Sequence, residues 1–172
     1  YMIYDEILCG TGRTGRFLAS HAWPNAHADI VVFAKGLGSG YAPLSAALLP
    51  AVMVDELADL TGFNFSHTYS ANPLACATGM AVLDEYERHG LIAAAAERGE
   101  TLKARLEKLA EKHPCIGDIR GKGLLMAVEL VTDRETKTSY PASFPPTEHV
   151  RICGLERGLI IYSRRTANGL YG

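Results

Sequence analysis

Two short apolar runs, each closed by a charged residue and then by glycines, constrain this chain more than anything else in it. The first reads Tyr1-Met-Ile-Tyr-Asp5-Glu6 and leads into Cys9-Gly-Thr-Gly-Arg-Thr-Gly15. The second reads Asp29-Ile-Val-Val-Phe-Ala-Lys35 and leads into Gly36-Leu-Gly-Ser-Gly40. Short β-branched and aromatic runs without polar alternation read as strands buried on both faces, the pattern of a parallel sheet. Together with the helical segments downstream, they place the chain in the α/β class. In open α/β sheets ligands bind in the crevice outside the carboxyl ends of the strands. Asp5 and Lys35 are both expected at that edge.

Bulk properties narrow the function classes. At 172 residues the chain can bury a sizeable core, enough for one domain or two small ones. It is 48% hydrophobic and 21% charged with a formal net charge of −2, so it carries no basic footprint for nucleic acid or a membrane surface. No apolar run approaches the roughly 20 residues of a membrane span. Cys9, Cys76, Cys115 and Cys153 show no CxxC spacing. They are expected as buried free thiols used in packing, which suits a reducing, cytoplasmic compartment. The histidines form no HxH or HxxxH pair, so no metal site is expected. The opening Tyr1-Met-Ile-Tyr reads as mid-strand, not as a signal peptide. Asn168-Gly-Leu-Tyr-Gly172 reads as a turn leading onward. An internal segment of a longer protein is therefore expected.

Along the chain, a short helical piece is expected from Arg16 to about Ala22, broken by Pro24 and Asn25. The apolar stretch Leu44–Val54, which contains Pro50, is expected to supply a further strand or hairpin. Asn72 is a good N-cap and Pro73 a favoured first helical residue, so a helix should run from there to about His89 and stop at Gly90. A second helix is expected over Leu91–Lys112, where Leu102, Leu106 and Leu109 recur at helical spacing, ending at His113-Pro114. Beyond Ile116, strands are expected over Gly123–Leu130 and Gly158–Ser163, with a helix near Glu148–Arg157 between them. The domain reading is a partial large domain over 1–90, a connecting helix over 91–112 and part of a smaller α+β domain over 113–172.

Several residues have both a chemical and a purely structural reading. Lys35 is either a solvated surface charge or, desolvated among small neighbours, a nucleophile toward a carbonyl. Asp5 either caps a turn or pairs with the pyridine nitrogen of pyridoxal phosphate, keeping the ring protonated so that it drains electrons from a substrate carbanion. Ile7, two residues on, would point the same way and pack on one ring face. Gly10-Thr-Gly-Arg-Thr-Gly15 is a literal GxGxxG. Its context argues against a dinucleotide, because Asp5 and Glu6 would repel a pyrophosphate, the next helix is short, and Asp29 precedes its strand. The loop Ser66-His-Thr-Tyr-Ser-Ala-Asn72 is either a capping segment or a phosphate site at a helix N-terminus. Arg120 either binds a carboxylate bidentately or ties a loop down.

In order along the chain, these segments resemble class III (ω-) aminotransferases of the pyridoxal-phosphate fold-type I group. Tyr4-Asp-Glu-Ile7 with its glycine turn is similar to the family's aspartate segment, and Ala28–Gly40 to its Schiff-base lysine segment. His67-Thr-Tyr-Ser-Ala-Asn-Pro-Leu-Ala-Cys-Ala77 and Ile119-Arg-Gly-Lys-Gly-Leu-Leu125 complete the set. The resemblance implies part of a fold-type I large domain, mostly parallel sheet with flanking helices, followed by part of a smaller α+β domain. It implies pyridoxal 5'-phosphate as cofactor, with Lys35 as the catalytic Schiff-base lysine, Asp5 on the pyridine nitrogen and Ile7 on the ring. Thr68 would reach the phosphate of a neighbouring subunit's cofactor, implying a homodimer or larger homo-oligomer. The implied activity is ping-pong transamination between an amine or ω-amino acid donor and a keto acid, exerted by the full-length protein. An aminomutase or racemase of the same fold, or a catalytically incompetent fragment, stand as alternatives. Where many members carry glutamine near the ring hydroxyl, this chain has Leu8.

Overall fold

The computed structural model describes residues 1–62, 64, 67–141 and 143–163. The turn expected over Asn168–Gly172 and Ser66 of the polar loop lie outside the described residues. The chain forms two compact units, the first comprising Tyr1–Gly99 with Lys122–Leu125, the second starting at Glu100 and leaving out that short return. No helix among the described residues is long and apolar enough to cross a membrane.

In the first unit, β1 (Ile3–Asp5), β2 (Ile30–Phe33) and β3 (Ala46–Leu48) make a three-stranded sheet in that order. β1 and β2 are parallel, pairing Ile3 with Ile30, Tyr4 with Val31 and Asp5 with Val32; β3 runs antiparallel to β2. The Glu6 amide extends the parallel ladder by donating to the Val32 carbonyl at 3.0 Å. Phe33 is buried against the tilted ring of Phe17, with centroids 5.8 Å apart. The expectation of burial on both faces is not met at β1, where Ile3 is 59% exposed; among the described residues the strand pairs only with β2.

The piece expected over Arg16–Ala22 is a single 3-10 turn, Ala19–Ala22. The stretch Leu44–Val54 divides at Pro50: the strand part ends at Leu48, and α1 (Ala51–Thr61) comes next. Pro50 ends the ladder and starts the helix, its carbonyl accepting from the amides of Met53 at 3.0 Å and Val54 at 3.3 Å. Gly62, left-handed at φ 75°, closes α1 by donating to the Ala58 carbonyl at 2.8 Å.

α2 (Pro73–Arg88) and α3 (Leu91–Lys112) match the expected helices closely. The Asn72 side chain accepts from the Ala75 amide at 3.1 Å, as an N-cap should. In α2 the bare face at Gly79 lets Leu44 approach, to within 2.5 Å of where a Cβ would stand. Cys76 is exposed instead of buried, because it sits on an outer face of α2; the other three thiols are half-buried.

In the second unit, β4 (Ile116–Lys122) and β5 (Leu125–Leu130) form a two-stranded sheet. Val131 is its most buried side chain, wedged against Gly117, and its amide donates to the Cys115 carbonyl at 2.8 Å. The Arg134 guanidinium donates to the carbonyls of Ala110 at 2.7 Å and His113 at 3.0 Å, satisfying the end of α3. α4 (Pro146–Glu156) begins with proline in its first turn. The strand expected over Gly158–Ser163 does not form: these residues are irregular, with Ile160 and Tyr162 more than four-fifths exposed. A β-branched run becomes a strand only beside a ladder partner, and none pairs with it among the described residues.

Candidate functional site

Parallel pairing of β1 and β2 sends both carboxyl ends to one edge of the sheet. Asp5 is the last residue of β1, opposite Val32, and Lys35 lies three positions beyond Val32, just past the end of β2. Both side chains are exposed, so the desolvation expected for Lys35 is absent in this chain. Among the described residues no hydrogen bond or ion pair engages the Lys35 amine. The turn-capping reading of Asp5 is realised, its Oδ1 accepting from the Ile7 amide at 2.9 Å. Its second carboxylate oxygen takes no hydrogen bond among the described residues. Ile7 lies in the turn beyond β1 and is half-buried. The two-residue alternation that would align it with Asp5 therefore stops before reaching it.

The backbone at Lys35 is unusual. Its φ is +44°, in the left-handed region that costs an L-residue roughly 1–2 kcal/mol. The next residue, Gly36, is held from two sides. From the glycine turn, Thr11 is buried and presses its hydroxyl against Gly36, where a Cβ would stand only 2.1 Å away. From α2, the Tyr86 hydroxyl donates to the Gly36 carbonyl at 2.8 Å and lies 3.4 Å from the Ser39 hydroxyl. Gly36 also accepts from the Ser39 amide at 3.2 Å. Lys35, Gly36, Thr11, Tyr86, Arg13 and Arg98 line part of a cavity of ≈ 310 Å³, with Asp5 outside its wall. Thr11 and Tyr86 escaped the sequence reading, since nothing local in the sequence relates positions 11, 36 and 86.

The GxGxxG turn is filled by the protein itself. A Cβ on Gly10 would stand 2.6 Å from the Glu6 carbonyl oxygen, on Gly12 2.9 Å from Ile92 and on Gly15 2.7 Å from Ala96. Beneath the turn, Glu6 is only 3% exposed and accepts from the amides of Ala19 at 3.0 Å and Ser20 at 2.9 Å, and from the Cys9 thiol at 3.2 Å. Burial works to raise the Glu6 carboxyl, but hydrogen bonds from the Ser20 and Ala19 amides, Cys9 and the Ser20 hydroxyl outweigh it and hold the group below its ordinary value. The Cys9 thiol is pushed up to about 11 by burial and by the carboxylate it faces. The close approach of α3 and of Glu6 thus accounts for the glycines of this turn without a dinucleotide.

Thr68 lies in an exposed turn ahead of α2 and shares no hydrogen bond with Asp5 or Lys35 among the described residues. In the same turn the Ser70 hydroxyl accepts from the His67 amide at 3.1 Å. Arg120 is engaged by acids of its own sheet, donating to Asp118 at 2.7 Å and Glu129 at 2.8 Å, which is the tying role. The hydrogen bond from Arg120 keeps Asp118 below the usual carboxylate range. Among the described residues no three His, Cys, Asp or Glu side chains gather closely enough to hold a metal ion. Leu8 is exposed and lines the cavity beside Lys35.

The family described as aminotransferase class-III matches residues 1–167. The chain belongs to the class-III aminotransferase family. Among curated relatives of this class-III aminotransferase segment, the uncharacterized aminotransferase YodT of Bacillus subtilis (strain 168) is 40% identical over 161 residues, covering 93% of this chain and 36% of that protein. Among solved structures, a thermostable (S)-enantioselective omega-transaminase from Thermomicrobium roseum superposes with a TM-score of 0.88 at 35% identity, over 94% of this chain and 36% of its own. The taurine:2-oxoglutarate aminotransferase of Bifidobacterium kashiwanohense, solved in complex with PLP and glutamate, gives 0.86 at 32% identity, over 95% and 37%. The chain thus spans about a third of the length of the relatives it matches. The α/β expectation holds at the level of fold, since these neighbours are fold-type I transaminases.

Proposed function

We propose that the protein carrying this chain catalyses pyridoxal-phosphate-dependent transamination between an amine or ω-amino acid donor and a keto acid. The observation that supports this reading is the parallel register of β1 against β2, which puts Asp5 and Lys35 at the same edge of the sheet, with the Lys35 amine and one Asp5 oxygen taking no hydrogen bond among the described residues. That donor set fits pyridoxal phosphate: an amine for its carbonyl carbon and an acid for its ring nitrogen. When bound, the cofactor supplies an electrophilic carbon and a cationic ring that withdraws electrons from the substrate.

This chain's own residues divide the work. The Lys35 amine would hold the cofactor through its carbonyl carbon and, once freed by a donor amine, would serve at Nζ as the base for the proton on the donor's carbon. Asp5, already oriented through Oδ1 by the Ile7 amide, would offer its other oxygen to the ring nitrogen. Ile7, half-buried in the turn, would be the residue to give one ring face an apolar contact. Thr68, on its exposed turn, is assigned to a phosphate held by the second subunit of a homodimer. Release of a carbonyl product before the keto acid enters makes the kinetics ping-pong. Four free thiols suit a reducing, cytoplasmic setting.

Lys35→Ala in the whole protein tests the reading. Borohydride reduction followed by peptide mass mapping should place the cofactor on Lys35 in the parent and nowhere in the variant, and transamination should fall by orders of magnitude. A variant that keeps its covalently trapped cofactor sinks the assignment. Donor exchange that proceeds without any keto acid acceptor would favour an aminomutase or racemase on the same residues.

A further inference from the structure

We propose that Tyr86 is a positioning residue for Lys35. The proposal rests on the transaminase reading above and concerns how the lysine is held. Tyr86 sits on the last turn of α2, fifty positions from Gly36 in sequence, and its hydroxyl reaches the carbonyl of that residue, immediately after the lysine, at 2.8 Å. Lys35 has a φ of +44°, which an L-residue keeps only when its surroundings enforce it. Two contacts enforce it here: the Thr11 hydroxyl, which meets Gly36 so closely that no side chain fits there, and the Tyr86 hydrogen bond.

The local chain alone does not suffice. The Lys35 carbonyl accepts from the Gly38 amide at 3.1 Å and the Gly36 carbonyl from the Ser39 amide at 3.2 Å and hydroxyl at 3.3 Å, a short 3-10 turn whose N-cap makes no side-chain bond. Such a turn is marginal by itself. Tyr86 joins it to α2, a sixteen-residue helix with a side-chain N-cap, and so transfers rigidity from a helix to a lysine it never touches. Because a catalytic group misplaced by a fraction of its working distance loses much of its effect, this tether acts on rate through geometry.

Tyr86→Phe in the whole protein isolates the hydroxyl. The ring stays, and the Gly36 carbonyl keeps the Ser39 amide, so the fold is expected to persist, as thermal unfolding checks. The decisive measurement is a cycle of cofactor retention during dialysis with wild-type, Tyr86→Phe, Lys35→Ala and the double variant. Tyr86→Phe should speed cofactor loss about tenfold when Lys35 is present, the worth of one hydrogen bond, and should change nothing in the Lys35→Ala background. The kcat should fall alongside, with KM for the donor held. An equal effect of Tyr86→Phe in both backgrounds, or none in either, overturns the positioning role. If instead Lys35→Ala itself leaves cofactor retention unaltered, the transaminase reading fails, a distinct outcome.

Discussion

The glycine turns after β1 and β2 look alike in sequence and differ in how far the protein's own atoms fill them. After β1 the missing side chains make room for the protein's own parts, with Ile92 and Ala96 of α3 seated against Gly12 and Gly15. The carboxylate below that turn, Glu6, is buried and fully bonded. After β2, Gly36 and Gly38 are likewise closed in, by Thr11 and by the Ala42 carbonyl, but Gly40 has nothing within 4 Å of where its Cβ would be, and Lys35 is exposed with its amine unengaged among the described residues. A glycine motif records that something comes close, not what does. Here the turn that resembles a nucleotide cradle packs against α3, and the plainer one follows Lys35.

Substitutions can break or sharpen that contrast. Gly15→Ala should be the costliest, because it combines a φ of +84° with a Cβ 2.7 Å from Ala96 Cβ and 2.9 Å from its backbone. A loss of about 3 kcal/mol is expected from the torsion and the overpacking together, read from the urea midpoint. Glu6→Gln should cost about 2 kcal/mol, since one amide nitrogen would face an N–H of Ala19 or Ser20 that needs an acceptor. The same variant should flatten acid sensitivity. Glu6 sits below 4.5 when folded, so its contribution is full above that value and drains away as pH falls through the lower folded one. A wild-type stability curve that is level from about pH 6 down to about pH 3 would contradict this.

Gly40→Ala should cost only about 1 kcal/mol, the left-handed torsion at φ +80° with no clash added. If it equals Gly15→Ala, the distinction between the two turns is wrong. Smallest in energy is a labelling contrast. With its thiol at about 11, only about one Cys9 in a thousand is thiolate at about pH 8, so iodoacetamide should modify exposed Cys76 first. Glu6→Gln should narrow the gap.

How much the sequence disclosed depended on how local each signal is. α2 and α3 were legible because their stops are written beside them, in Asn72-Pro73, Gly90 and His113-Pro114. α1 was masked by Val52 and Val54, which favour strands, although Gly62 marked its end. β4 hid in a run containing two glycines and three charges, and is a strand through its pairing with β5. Gly158–Ser163 made the opposite error, a strand pattern lacking a partner. At the candidate site, Asp5 and Lys35 announced themselves as strand ends. Tyr86 and Thr11 did not, because their meeting at Gly36 joins three distant stretches of chain.

The torsion at Lys35 has one more consequence. Glycine is the residue that would relax there, and it has no amine to offer. A selection for thermal endurance that ignored turnover would therefore be drawn toward Lys35→Gly, which on the proposed reading gives up the working amine for a calmer loop. If the proposed role of Lys35 holds, durability and chemistry compete at a single bond rotation, and any campaign to harden this protein should leave position 35 out of its library.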